Sequence, residues 1–376
     1  MKVLVTDGAN RVTLAVVRAL GRAGAEVGVV EQERFAGRLP ASFRSRFVSR
    51  HDVVPNLSDD GAFVDALAER AAGYDVLLPV STNVLLACAE RPERFSARLP
   101  VAPAALLRRA NDKSSALAVA RKAGVPIPVT YAPEDEEELA EVASRVRLPA
   151  VVKLRDDAGT VLDPGRRYAI GRTPEDVRGA WRRLHGIKAF PLIQEKVEGP
   201  GYGVGVLAEG GRVLASVAHR RVREFPVTGG PSTCCVSVDE PRLAAYAEAL
   251  IRELGWTGVA MVEFKKDDDF RLMEVNPRFW GSLPLATRAG VNFPALLCRR
   301  AMGEDLGPPP RAAADVRLRF LPLDAAAALS ALGDPERRWP YALGFLRDLL
   351  DPSVADGILD PGDLEASLAY LADRLP

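Results

Sequence analysis

Four cysteines stand in 376 residues (Cys88, Cys234, Cys235 and Cys298), with no C-x-x-C spacing among them. That scarcity excludes a disulfide framework and predicts reduced core thiols of a cytoplasmic protein. Three histidines, His51, His185 and His219, are too scattered to build a zinc site. No apolar run approaches the roughly 20 residues that span a bilayer. There is no excess of either charge: 50 Lys plus Arg balance 50 Asp plus Glu. A neutral total gives no electrostatic reason for a nucleic-acid or membrane-surface partner. The G-x-G-x-x-G fingerprint is missing from the first strand–helix turn, where residues 8 to 13 read GANRVT. Without those glycines the backbone cannot approach a pyrophosphate closely, which argues against a dinucleotide site. No Ser-His-Asp or Cys-His constellation is evident either.

What is present is a long alternation of strands and helices. Residues 2 to 6 (KVLVT) read as a first strand rather than a signal peptide. The amphipathic run VTLAVVRALGRAG and a second strand, AEVGVVEQ, follow. DVLLPV (75–80) is another buried strand, with STN capping a helix after it, so the first hundred residues predict a small doubly wound parallel sheet. The segment 110–128 is a capped helix closed by Gly124, with Lys113 near its start. PAVVKL (149–154) places Lys153 inside an apolar strand, where a lysine needs an anion; Lys113 alone reads equally well as a surface lysine. The loop 155–167 carries two glycines and suits a phosphate only weakly. PLIQEKVEG (191–199) is a strand with a polar end, and 202–226 is a hairpin turning at residues 209–211. Its return strand bears His219, Arg220, Arg221 and Arg223, followed by the glycine loop VTGGPST with Gly229, Gly230 and Ser232. Cations before backbone N–H groups suggest a carboxylate or phosphate pocket; an alternating exposed strand is the bland reading. Gly307 and prolines 308–310 mark a linker, and the last segment starts with a strand, VRLRFLPL, and continues as Ala- and Leu-rich helices with no recognisable chemistry.

Residues 255 to 282, GWTGVAMVEFKKDDDFRLMEVNPRFWGS, carry the most information. VAMVEF and FRLMEVN are apolar strands separated by a charged break. A four-residue loop at 267–270 sets Glu263 opposite Glu274. Facing residues lie about 5 Å apart at Cβ, and like charges there are destabilising unless something offsets them. Asn276 follows Glu274 by two and shares its face. Two carboxylates and an amide form an oxygen-only set suited to Mg²⁺ that completes its shell with water and phosphate. Arg278 is spaced to reach the same anion. The alternative is an exposed hairpin with solvated acids, which the apolar neighbours Met261, Val262, Phe264, Met273 and Val275 oppose.

In their order, PAVVKL, IQEKVEG, TGGPST and MVEF…LMEVNPRFWGS resemble the ATP-grasp superfamily over about residues 2 to 305. The resemblance implies an α/β and α+β protein: a Rossmann-like N-terminal domain (1–108), an ATP-grasp domain of two α+β subdomains (109–305) and a C-terminal extension (306–376). It implies that Lys113 and Lys153 contact ATP phosphates and that Gln194, Glu195, Lys196 and Val197 line the adenine hinge. Glu263, Glu274 and Asn276 would hold Mg²⁺, with Mn²⁺ as the alternative ion, and Arg278 with Lys153 would steady the transferred phosphoryl group. HRRVREFPVTGGPST is similar to the substrate-side loop of the carbamoyl-phosphate-synthetase-like and amino-acid-ligase branches, which offers His219, Arg221, Arg223, Gly229, Gly230 and Ser232 to substrate. Two departures stand out: Gly201, Tyr202 and Gly203 occupy the place where the family often has a ribose-binding acid, and the loop after Lys153 is poor in glycine.

The implied chemistry is ATP-dependent activation of a carboxylate as an acylphosphate, followed by attack of an amine with release of ADP and phosphate. Small-molecule carboxylate and amine substrates, and a homodimer, are the partners expected. An ATP-grasp enzyme with a non-amine acceptor, or a non-catalytic ATP-binding sensor, are the competing readings.

Overall fold

The computed structural model describes residues 1–373 apart from 36, 38, 59, 157, 160–165 and 228. Parts of the two loops singled out above, 155–167 and 227–233, therefore lie outside the described residues. Three sheets and thirteen α-helices organise the rest.

The first sheet is parallel throughout. Its strands β1 (Lys2–Val5), β2 (Glu26–Gln32), β3 (Val48–Val54) and β4 (Val76–Leu78) lie in the order β3-β2-β1-β4. Helix Arg11–Arg22 returns the chain from β1 to β2, its start capped by the Asn10 side chain on the Val12 N–H. A smaller antiparallel sheet follows, with β5 (Thr130–Tyr131), β6 (Ala150–Lys153), β7 (Tyr168–Gly171) and β8 (Leu192–Glu195) in the order β5-β8-β6-β7. Helices Glu136–Arg145 and Pro174–His185 cover it, and Leu139, Val152, Trp181 and Ile193 form its own core.

The largest sheet has seven strands: β9 (Gly201–Glu209), β10 (Arg212–Glu224), β11 (Ser232–Ser237), β12 (Gly258–Lys266), β13 (Phe270–Asn276), β14 (Arg317–Arg319) and β15 (Ala355–Asp356). Their order is β13-β12-β9-β10-β11-β14-β15. Gly210 and Gly211, both at positive φ, make the two-residue turn between β9 and β10, a conformation that favours glycine at each position. One face of this sheet is apolar: Tyr202, Val204, Val206, Ala260, Val262, Phe264, Phe270 and Leu272 pack on helices Lys113–Lys122 and Pro241–Leu254. On the other face, Leu207, Val259 and Met261 join residues of the first sheet, of helix Arg11–Arg22 and of Leu283–Ala301 in one continuous core.

The expected strand VRLRFLPL is cut short. Only Arg317–Arg319 pairs, and helix Leu321–Ala331 begins at once, with a proline in its first turn where no N–H is needed. The segment after 306 is bound to the rest by buried charge. Arg223 donates from Nε to Asp324 at 2.8 Å and from Nη2 to Asp324 and Asp348 at 2.6 and 2.7 Å. Arg18 on the first long helix reaches the Asp363 carboxylate (2.8 Å), the Ile358 carbonyl and Ser367. Among the described residues no helix is long and apolar enough to cross a membrane.

Breaking a buried ion pair by removing one partner leaves an uncompensated charge, at a cost of about 3–5 kcal/mol. Arg223→Ala strips two buried carboxylates of that cation and is expected to lower unfolding free energy by about that amount. Urea titration of the variant against the parent protein checks this; a change under about 1 kcal/mol would show that the C-terminal segment is not held by this contact.

Candidate functional site

The acids of the β12–β13 hairpin meet as their spacing requires, though by a different path. Glu263 pairs with Glu274, and Met261 with Asn276. Nearer the turn the pairing shifts by one: Phe264 faces Leu272 and Lys266 faces Phe270, so the loop is three residues and Met273 is the extra residue of a bulge. That bulge is decisive. Phe270 and Leu272 are buried in the apolar core, and strict alternation would send Glu274 in after them. The inserted residue reverses the phase, so Val275 takes the core side and Glu274 and Asn276 emerge on the face that carries Glu263.

Around the acids stand four cations. Lys113, in the first turn of its helix, places Nζ 3.0 Å from Glu274 Oε2. Lys153, from the small sheet, donates to the Met273 carbonyl at 3.2 Å. Arg221 donates to Glu263 Oε2, to Glu224 Oε1 at 3.3 Å and to the Gly230 carbonyl at 3.2 Å. Arg278 donates from Nη2 to Asn276 Oδ1 at 3.3 Å and from Nε to Thr82 Oγ1 at 3.2 Å, linking the hairpin to the helix after β4. Asn276 Nδ2 donates to both carboxylates, at 3.1 Å to Glu263 and 3.3 Å to Glu274.

The electrostatics divide the two acids. Burial alone would push Glu274 up, but the Lys113 and Lys153 ammoniums outweigh it and hold its carboxyl at about 2. Burial pushes Glu263 up against the pull of Arg221, and the Glu274 charge adds to the rise. Burial, reinforced by Lys113, lowers Lys153 to about 8 despite both glutamates. Arg221 is held cationic by Glu263 and Glu224 against its own burial.

A column of glycines lets these groups meet. Strand β9 reads G-Y-G-V-G, and Gly201, Gly203 and Gly205 all fall on the site face. A Cβ on Gly201 would strike Arg221 and Glu224 at 2.9 Å, one on Gly203 would strike His219 at 2.5 Å, and one on Gly205 the Trp280 ring at 2.1 Å. Long side chains from β10 thus cross over a bare central strand to reach β12. The period-two glycine pattern in a strand was the signal available in the sequence, and it passed as a missing acid only.

Other expected residues are placed as follows. His219 is buried, within 3.2 Å of Ser282 Oγ, and burial with the nearby Arg221 charge pushes it down to about 3, so it is neutral and a poor proton acceptor. Arg223 is not brought to the cluster; its side chain points to Asp324 and Asp348. The Ser232 hydroxyl is buried and donates to the Cys234 carbonyl. Gly229 spends its N–H on the Pro226 carbonyl and its own carbonyl on Tyr168, so the glycine loop turns carbonyls as well as N–H groups toward its neighbours. Gln194 is buried, with Nε2 donating to Thr130 and Oε1 left without a hydrogen-bond partner. Glu195 pairs with Arg147, Lys196 with Glu198 at 2.6 Å, and the Val197 carbonyl accepts from Lys265. Beside the acids a cleft of about 380 Å³ opens, lined by Lys196, Glu198, Arg221, Glu224 and Lys265, with Arg337 and Tyr341 on its far wall.

No group of three or more His, Cys, Asp or Glu is arranged for a metal among the described residues. Two facing carboxylates and an amide nevertheless fit a hard divalent cation that takes its remaining oxygens from water and phosphate. The surrounding cations suit a polyanion next to it, and the orphaned Gln194 oxygen suits a donor in the hinge.

The chain aligns over 326 residues with the carbamoyl phosphate synthase large chain of Rubrobacter xylanophilus at 28% identity, covering 82% of this chain and 29% of that one. It thus spans less than a third of that relative. A probable alpha-L-glutamate ligase of Methanococcoides burtonii is 25% identical over 230 residues, 59% of this chain and 74% of the relative. In fold the chain is similar to the biotin carboxylase β-γ-ATP complex from Campylobacter jejuni, with a TM-score of 0.67, 17% identity and coverage of 84% and 74%. In both sequence and fold the chain is thus similar to proteins of the ATP-grasp superfamily. Within it, the family described as ATP-grasp in the biosynthetic pathway with Ter operon matches residues 190–321, from strand β8 through the acids to the start of the C-terminal segment.

Two outcomes test this geometry. Gly203→Ala forces a methyl against His219 and Met261 and is expected to cost about 1–3 kcal/mol in denaturant titrations. Between the Lys153 value of about 8 and its ordinary 10.5, the unfolded chain binds more protons than the folded one, so this group makes stability rise with pH. Lys153→Met should remove a component of about 3 kcal/mol across that window, read as the difference between the two proteins' pH profiles.

Proposed function

We propose that the chain is an ATP-dependent ligase that activates a small-molecule carboxylate and transfers it to an amine, releasing ADP and phosphate. The observation that carries this reading is the pairing of Glu263 with Glu274 beneath Asn276, ringed by Lys113, Lys153, Arg221 and Arg278. Likeness to a carbamoyl phosphate synthase large chain and to a probable alpha-L-glutamate ligase supports the reaction class. Residues 1–108 are read as a Rossmann-like substrate-side domain, 109–305 as the nucleotide clasp and 306–376 as an extension that walls the cleft. The protein is read as cytoplasmic, with no nucleic-acid or membrane partner.

In this reading Glu263, Glu274 and Asn276 would hold Mg²⁺, which would supply charge neutralisation for the phosphates. The Asn276 amide nitrogen faces the acids and Arg221 is bonded to Glu263, so the amide oxygen would have to replace the nitrogen and Arg221 would have to give up that carboxylate. Lys113 and Lys153 hold phosphate oxygens, and an arriving polyanion favours the charged form of Lys153. Gln194, Glu195, Lys196 and Val197 line the base, where the free Gln194 oxygen accepts a hydrogen bond. Glu224, reaching over Gly201, stands beside the position of the absent ribose acid. Arg278, anchored by Thr82, orients the group in transfer. The substrate carboxylate oxygen bonds to the γ-phosphorus as the bond to ADP breaks; the amine then bonds to the acyl carbon and gives up a proton as phosphate leaves. No protein nucleophile is needed, because positioning and charge account for the acceleration. His219, pushed down to about 3 by burial and the nearby Arg221 charge, is a poor base for the amine.

Phosphate release from Mg-ATP with pooled carboxylates, with and without hydroxylamine, tests this. Carboxylate-dependent release with trapped hydroxamate is the expected result. Glu274→Ala should lower turnover by about 10²–10³ or more. ATP binding that survives in the parent protein with no turnover in any pool favours a sensor, and no Mg-dependent ATP binding at all refutes the assignment of Glu263, Glu274 and Asn276.

A further inference from the structure

Helix Arg338–Leu350 has two opposite faces. The inner one closes the site: the Tyr341 hydroxyl accepts from the Glu224 N–H at 3.3 Å, Gly344 lies against the Arg223 guanidinium and Asp348 pairs with it. The outer one carries Trp339, Leu343, Leu346 and Leu350, all exposed, with Leu350 at 82%. The spacing of four, three and four residues puts them on one stripe. Leu329 and Leu332, also exposed, end the preceding helix, which packs against this one. At roughly 150–200 Å² per side chain of this size, the stripe with these two leucines and Leu349 leaves on the order of 700 Å² of apolar surface in water. That exceeds the ~300–600 Å² patch of an ordinary monomer and approaches the ~800 Å² that each partner gives to a standard interface.

We propose that this stripe is a homodimer interface, in which the helix packs antiparallel against its copy across a two-fold axis. The sequence of the helix is matched to its own reverse. An axis passing between Gly344 and Phe345 sets Trp339 against Leu350 of the other copy and Leu343 against Leu346. Isologous pairing of this kind needs a patch complementary to itself, and every apolar position of the stripe finds an apolar counterpart. Because the inner face of the same helix braces Glu224 and Arg223, the dimer would also stiffen the cleft wall.

Sedimentation of the full chain from about 1 to 100 µM tests the proposal. A reversible dimer is expected, with Leu343→Glu monomeric at every concentration while its circular dichroism stays that of the parent. Leu346→Glu, at the position that faces Leu343 across the axis, should do the same. A parent protein that stays monomeric overturns the proposal, whether or not it floats with anionic phospholipid vesicles. So does a dimer that survives Leu343→Glu or Leu346→Glu.

Discussion

Two carboxylates facing each other across a pair of strands repel, and the site region is arranged around that repulsion. Glu263 and Glu274 cannot both sit on a half-buried sheet unless cations come to them. The cations come from far apart in the chain: Lys113 from the helix after residue 112, Lys153 from the small sheet and Arg221 from β10. Each must cross an element boundary, so the positions of the small sheet, the Lys113 helix and the hairpin are tied to one another through this cluster. The glycine column of β9 is the steric condition for it, since any side chain there would occupy the path of Arg221 and His219.

The hairpin's chemistry was legible because it is local. Apolar alternation fixed the strands, and the distance between the acids along the chain sufficed to oppose them. The register was right at Glu263 for a reason the sequence did not display: a three-residue turn and a bulge at Met273 together make the same pairing as a four-residue turn without one. Only the burial of Phe270 and Leu272 distinguishes the two, because it requires the phase to change before Glu274. The first sheet and the helix at 113 were readable on the same grounds of periodicity and caps.

What escaped is long-range. Arg221 and Arg223 look alike in the run His219, Arg220, Arg221, Arg223, yet one meets Glu263 and the other Asp324 and Asp348. Nothing near them in sequence separates these fates; the difference lies in a bulge-shifted strand pairing and in carboxylates about a hundred residues downstream. The C-terminal segment offered no motif because its part is to bury a charge and supply a wall, work that any well-placed aspartate and tyrosine can perform.

The attachment of Arg18 bears on how the chain acquires its structure. Its guanidinium lies on the first long helix, inside the molecule, and the partners seen for it are residues 358 to 367. During synthesis from the amino end, that helix is made more than three hundred residues ahead of the groups that neutralise it. Helix Arg11–Arg22 also shares its apolar face with Leu283–Ala301, which emerge equally late. The first sheet can pair early, since its strands are close in sequence, but it must wait with one side uncovered and a cation unmatched. Its surface therefore stays open on the nascent chain until residues 358 to 367 have been made and can meet Arg18.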